Sequence, residues 1–240
     1  MGRIAEAEAP AKIILVGEHF CVHGAPALSM AINLYARVRV KPRSCGGIKI
    51  RAEGLPPGFK VEMVGGRVEA LHPLKLAVEE VLRKAAERLS KPLPGIEVKV
   101  YSQIPIGAGL GSSASMASAT IASVARLLGL KPSKKTIIEL CSIPERFIHG
   151  NPSGIDPTTV VVGGMIIFRR GEPPVKLTPV KPLSLIVGDT GVRRTTGILV
   201  QKFGEIFREE VKAEENLLKA ENLTFRAVRA VREGNLKALG

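Results

Sequence analysis

Pro105-Ile106-Gly107-Ala108-Gly109-Leu110-Gly111-Ser112-Ser113-Ala114-Ser115 is the stretch on which the reading of the fold rests. Glycine recurs at 107, 109 and 111, two serines follow, and a run of small residues continues towards Leu128. Glycine admits positive φ and lets a bulky anion approach the main chain. A helix opening directly from such a loop turns its unpaired N–H groups and the positive end of its dipole towards it. Loop and helix together make a phosphate cradle. The pattern Gly-x-x-x-x-Gly-Lys-Ser/Thr occurs nowhere in the chain, so this is not a P-loop. It is not the dinucleotide fingerprint either, because no acidic residue follows at the required distance near a second strand. Taken alone, the stretch also fits a flexible Gly/Ser turn whose serines are plain helix caps.

Working outward, Ile96, Val98 and Val100 alternate with Glu97 and Lys99 and predict a strand delivering the chain to the loop. Ser113 to Leu128 predicts a helix of small residues, stopped by Gly129 and Pro132, and Ser133 caps a further helix. Upstream, Leu74, Val78, Val81, Leu82, Ala85 and Leu89 recur at helical spacing. Lys12–Gly17, Leu34–Lys41 and Gly47–Ala52 read as strands, as do Val160–Phe168 and Leu183–Gly188. Pro144 interrupts the helix after Ser133, which predicts a kink or a restart with Ser142 as the new cap. Four prolines and a glycine between Arg169 and Pro182 mark a domain junction, and beyond Thr196 the chain is helical and charged. The fold class expected is α+β in two domains, 1–172 and 173–240.

Composition narrows the function. A chain of 240 residues with 45% hydrophobic residues can bury a proper core. Its longest apolar run, Val160–Phe168, is too short for a membrane span, and Glu6 and Glu8 precede the first apolar segment where a signal peptide would be basic. Three cysteines without a Cys-x-x-Cys pair argue against a disulfide framework and a zinc site. These features predict a cytoplasmic protein. The net charge of +13 is spread widely and aromatics are only 4%, so attraction of small anionic substrates explains it better than nucleic-acid binding.

Two further segments carry chemistry. In Pro10-Ala11-Lys12-Ile13-Ile14-Leu15-Val16-Gly17-Glu18-His19 a lysine heads a buried strand, which is costly without an anionic partner. Glu18 and His19 stand at that strand's C-terminal end. In Glu145-Arg146-Phe147-Ile148-His149-Gly150-Asn151-Pro152-Ser153-Gly154-Ile155-Asp156, the aspartate precedes Pro-Thr-Thr and by itself reads as a helix N-cap.

The three segments, in this order and spacing from about residue 10 to 200, resemble the signatures of the GHMP kinases. The lysine strand with GEHFCVHG and the string IHGNPSGID are most similar to the branch of that superfamily acting on mevalonate. The resemblance implies a ribosomal-S5-like N-terminal domain and a ferredoxin-like C-terminal α/β domain. It implies ATP and Mg²⁺ as cofactors, mevalonate as substrate and its primary hydroxyl as acceptor. Pro105, Ile106, Gly107, Ala108, Gly109, Leu110, Gly111, Ser112, Ser113, Ala114 and Ser115 match the nucleotide loop. Glu145 with the Ser112 and Ser113 hydroxyls matches the metal site, Asp156 the general base, and Lys12 the lysine paired with it. Glu18 and His19 match substrate contacts. Arg194 and Thr196 lie in a segment similar to a loop closing on the substrate's carboxylate, for which an arginine has the right fork.

The family's second glycine-rich loop has no counterpart before Gly240. The C-terminal domain is therefore expected to be incomplete, with an exposed sheet edge covered in a homodimer. Other expectations stay open beside mevalonate phosphorylation: a kinase for phosphomevalonate or another small alcohol, a nucleotide-binding pseudo-kinase, and an RNA-binding module.

Overall fold

Three strands share the edges of one. β2 runs from Ala27 to Arg43, and β1 (Ala5–Val16) pairs antiparallel with it along nearly its whole length. The other edge of β2 is divided: Ala36–Arg43 pairs with β5 (Gly95–Ser102), and Ala27–Met30 with β6 (Met165–Phe168). Among the described residues β3 (Ile48–Glu53), β4 (Val61–Val64) and β7 (Val175–Leu177) complete a seven-stranded sheet in which only the β3–β5 pairing is parallel. The helices are α1 (His72–Arg88), α2 (Ser112–Leu127), α3 (Lys134–His149), α4 (Ile155–Val162), α5 (202–207), α6 (Ala213–Glu233) and α7 (Leu236–Leu239). The computed structural model describes residues 4–53, 61–64, 71–89, 93–150, 152–191, 202–207 and 212–239.

Alternation decides the layers. Val38, Val40, Ile50, Ala52, Ile96, Val98 and Val100 face inward against α1, α2 and α3. Their outward neighbours are charged, and Arg37–Glu8, Arg39–Glu6 and Lys41–Glu97 pair across the strands. Part of the large positive charge is spent in this solvated ladder, where each pair contributes about 0–1 kcal/mol. At the other end of the sheet, α6 packs Ala227, Val228 and Val231 on Leu28, Met165 and Leu177. There α4 and the turn after β1 cover the opposite side, with Ile155 and Cys21 against Ile14, Ala27, Ile166 and Phe168.

α2 explains its own composition. It is buried on nearly every side, from Ala114 to Ala125, between the sheet and α1, α3 and α4. Small residues allow that approach, and their hydroxyls need partners in a dry interior. Thr120 donates to the Met116 carbonyl at 2.7 Å and Ser123 to that of Ala119 at 2.8 Å.

Three expectations need correction. Val160–Val162 belongs to α4, not to a strand: Thr158 and Thr159 donate to the Gly154 and Ile155 carbonyls, both at 2.7 Å, and the helix ends at Gly163 (φ +74) before β6 begins. Residues 183–188 form no strand. Pro144 neither breaks nor restarts α3; Ser142 donates to the Glu139 carbonyl at 2.6 Å instead of capping. Among the described residues no helix is long and apolar enough to cross a membrane.

Gly17 ends β1 at φ +92, and a Cβ there would lie 2.6 Å from the Pro26 carbonyl oxygen and 2.8 Å from Ala27 Cα. Gly17→Ala meets backbone rather than a yielding side chain, so a loss of about 2 kcal/mol or more is expected. A lowered urea midpoint at unchanged slope is the measurement that checks it.

Candidate active site

β1 changes which residues it turns inward at Pro10. Pro10 pairs with Tyr35 but Ala11 pairs with Ile32, so the register slips and Asn33 and Leu34 fall outside the ladder. Before the slip Ala5 and Ala9 face the helices; after it Lys12 and Ile14 do. An irregularity of this kind bends the strand and re-aims its side chains. Lys12 is thereby buried to 5% exposure, and its main-chain N–H donates to the Leu110 carbonyl at 3.0 Å.

The lysine stem crosses the end of the glycine loop. A Cβ at Gly111 would stand 2.7 Å from Lys12 Cγ, and Gly111 also sits at φ +71. Lys12 Nζ then reaches Asp156 Oδ1 at 2.9 Å. Asp156 is not the cap of α4. Gly154 (φ +89) takes that place and Ser153 Oγ accepts the Ile155 N–H at 3.3 Å, which leaves the carboxylate in the first turn available to Lys12.

The loop itself holds Gly107, Gly109 and Gly111 at φ +74, +78 and +71. Gly111 is the N-cap of α2 and no side chain caps it, so Ser112 and Ser113 are not caps and the helix start keeps its N–H groups for another partner. Leu110 anchors the loop in a cluster with Ala11, Ala36 and Ile104. Ser115 Oγ lies 2.6 Å from the Pro10 carbonyl and 2.9 Å from that of Gly111, tying helix, loop and strand together.

Across from this pair, Glu145 on α3 is 3% exposed and accepts the Ser113 hydroxyl at 2.8 Å. Burial pushes its carboxyl up to about 7, and the Asp156 charge adds to the effect; the Ser113 hydrogen bond and Lys12 oppose it. A groove of about 740 Å³ opens beside Glu145, between α3, the 150–154 turn and Arg170.

The chain leaves β1 through a γ-turn. The Phe20 N–H donates to the Glu18 carbonyl at 2.8 Å, with His19 between them at φ 65°, ψ −47°. Holding a non-glycine residue in this conformation costs about 1–3 kcal/mol and persists only where the surroundings enforce it. Glu18 is exposed and His19 half-buried. Two residues on, the buried Cys21 thiol is hydrogen-bonded to Ser153 and lies within reach of the Asp156 and Lys12 charges, with burial as the main cause of its raised pKa.

The comparisons with known proteins bear on this geometry. Residues 75–164 match the model of the GHMP kinase N-terminal domain. The mevalonate kinase of Pyrococcus horikoshii is 39% identical over 225 residues, covering 89% of this chain and 65% of that enzyme. The mevalonate kinase of Aeropyrum pernix is 36% identical over 243 residues, covering 100% of this chain and 74% of the relative. The chain belongs to the mevalonate kinase family. It spans about two thirds of the length of these curated relatives. The structure of L. major mevalonate kinase in complex with R-mevalonate superposes with a TM-score of 0.73 at 23% identity, over 100% of this chain and 72% of that one. The α+β fold is therefore that of the GHMP kinases.

Within that family frame the structure brings together Lys12, Asp156, Ser113, Glu145 and the 105–115 loop, with Glu18 and His19 on the adjoining turn. Arg194 and Thr196 lie outside the described residues. Ser113 rather than Ser112 is the serine bonded to Glu145. Cys21 was missed by sequence reasoning; Ser115, taken there as part of the nucleotide loop, turns its hydroxyl back to the Gly111 and Pro10 carbonyls.

Lys12→Met leaves the Asp156 carboxylate facing an apolar stem, and a stability loss of about 2 kcal/mol or more is expected. Adding Asp156→Asn in the same chain should restore most of it, as chemical denaturation of the single and double variants will show. Glu145 titrates near 7 when folded, against an ordinary value of 4.5, so the folded state holds its proton more tightly than the unfolded state. Its contribution is present below about pH 4.5 and lost as pH rises through about 7. In metal-free buffer Glu145→Gln is therefore expected to be more stable than the wild type at pH 8, with the gap closing towards pH 5. Thermal melts in EDTA across that range are the check.

Proposed function

We propose that this chain transfers the γ-phosphoryl group of ATP to the primary hydroxyl of (R)-mevalonate, forming 5-phosphomevalonate. The observation that carries the reading is the Lys12–Asp156 pair at 2.9 Å, set beside the uncapped start of α2. Phosphoryl transfer needs positioning, charge stabilisation and a proton acceptor, and each has a candidate here. The N–H groups of the 105–115 loop and the first turn of α2 hold phosphate oxygens. Asp156 accepts the hydroxyl proton as the new O–P bond forms and the bond from the γ-phosphorus to the β-phosphate oxygen breaks, releasing ADP. Lys12 holds the Asp156 carboxylate in place at 2.9 Å and draws charge from the transition state. Glu18 and His19, with Arg194 and Thr196, hold the acceptor acid.

The donor set fits Mg²⁺. Ser113 and Glu145 offer oxygen ligands, with Ser112 alongside, and a buried carboxylate raised to about 7 is one that a divalent cation would relieve. Mg²⁺ bound through such a pair takes its remaining ligands from phosphates and water. When bound, the ion neutralises charge on the phosphates.

The same reading takes 1–172 as the nucleotide-binding domain and 173–240 as the second, in a cytoplasmic protein. Association into a homodimer is supported by the apolar side chains of Val180, Leu185, Ile186 and Val187, all exposed. ADP release with Mg-ATP, measured with and without mevalonate, tests the function. Asp156→Asn should lower turnover by roughly 10²–10⁴-fold while ATP binding by calorimetry is retained. Wild-type turnover in that variant overturns the mechanism.

A further inference from the structure

His19 is the only non-glycine residue at positive φ among the described residues, and α5 supplies what packs against it. The Phe203 ring lies 5.5 Å from the His19 imidazole at 31°, and 5.1 Å from Phe20 edge-on. Phe207 closes the group at 4.4 Å from His23 and 5.8 Å from Phe203. Gly204, between the two phenylalanines, is buried and brings α5 close: a Cβ there would sit 3.8 Å from the His23 ring. Rings from the segment that follows β1 and from a helix far along the chain thus form one cluster around a strained γ-turn.

The cluster has a consequence for the imidazole. Packing against Phe203 restricts rotation of the imidazole and so limits the directions in which its two nitrogens, the polar side-chain atoms of His19, can point. The Cys21 N–H donates to the Gly17 carbonyl at 3.2 Å, closing the turn, and the Cys21 thiol meets Ser153 beside Asp156. The orientation of His19 is therefore set relative to the Lys12–Asp156 pair from two sides: by the turn and by Phe203.

We propose that Phe203 is a positioning residue for the acceptor alcohol, acting through His19. This rests on the functional reading above, in which His19 contacts mevalonate. Phe203 packs on His19, Phe20 and His23, so its effect is expected on the alcohol rather than on the nucleotide.

The test is steady-state kinetics of the 240-residue chain with Phe203 replaced by Ala, Leu, Tyr and Trp. Phe203→Ala and Phe203→Leu should raise the KM for mevalonate roughly tenfold, with kcat and the KM for ATP within about twofold. Phe203→Tyr and Phe203→Trp, which keep a ring, should stay near wild type. In a His19→Ala background, Phe203→Leu should add nothing further. A wild-type KM for mevalonate in Phe203→Leu, an equal rise in both KM values, or additivity with His19→Ala overturns the proposal. The leucine variant keeps apolar volume if the alanine variant fails to fold. If the wild-type chain turns over no mevalonate, the functional reading fails, and proton NMR of the four histidines then decides the clamp separately. His19 ring signals that move in Phe203→Leu support it, and unmoved signals overturn it.

Discussion

An ammonium taken out of water must be met by an anion, and most of the site is arranged around that demand. Lys12 is buried because β1 slips register at Pro10, and it can lie where it does only because Gly111 has no Cβ. Its charge is matched by an aspartate drawn from the first turn of α4, where capping is left to Gly154 and Ser153. Remove the ion pair and each of these features loses its reason. A pair of this depth adds little net stability over an apolar substitute, since desolvation offsets much of the attraction. Its value lies in holding a carboxylate at a fixed place, next to a helix start.

The electrostatics extend one step further. Burial raises Glu145 first and the nearby Asp156 charge adds to it, while the Lys12 ammonium opposes both. The positive end of α2 supplies part of what is missing. Below about pH 7 the Glu145 carboxyl holds a proton and the crowding is relieved.

Much of this arrangement was legible in the sequence. A glycine at every second position followed by small residues announced the loop and the buried helix, because both depend on the absence of side-chain bulk. Lysine in an apolar run demanded a partner and so pointed beyond itself, although the strand begins at Ala5 rather than at Lys12. What stayed hidden depended on contacts distant in the chain. Asp156 before Pro-Thr-Thr obeys the local rule for a cap, and only Lys12, brought from the first strand, overrules it. Val160–Val162 has the composition of a strand, yet Thr159 hydrogen-bonded to Ser29 fixes those residues in a helix against β2. Pro144 lacks one N–H, a local cost that the packing of α3 against α1 and α2 outweighs. The strain at His19 has no sequence signature, because nothing in the residue type requires that backbone.

The divided edge of β2 also governs how the molecule can assemble itself. Its second half can pair as soon as β5 has emerged, but its first half waits for β6, since Ala27 lies opposite Phe168. During synthesis the segment from Ala27 to Met30 therefore spends the longest time as an open edge, with β1 already attached on the other side. Non-local pairing of this kind slows folding and exposes a chain to wrong partners while it waits. The strand that unites the two ends of the sheet in the finished protein is, on the ribosome, its last unfinished seam.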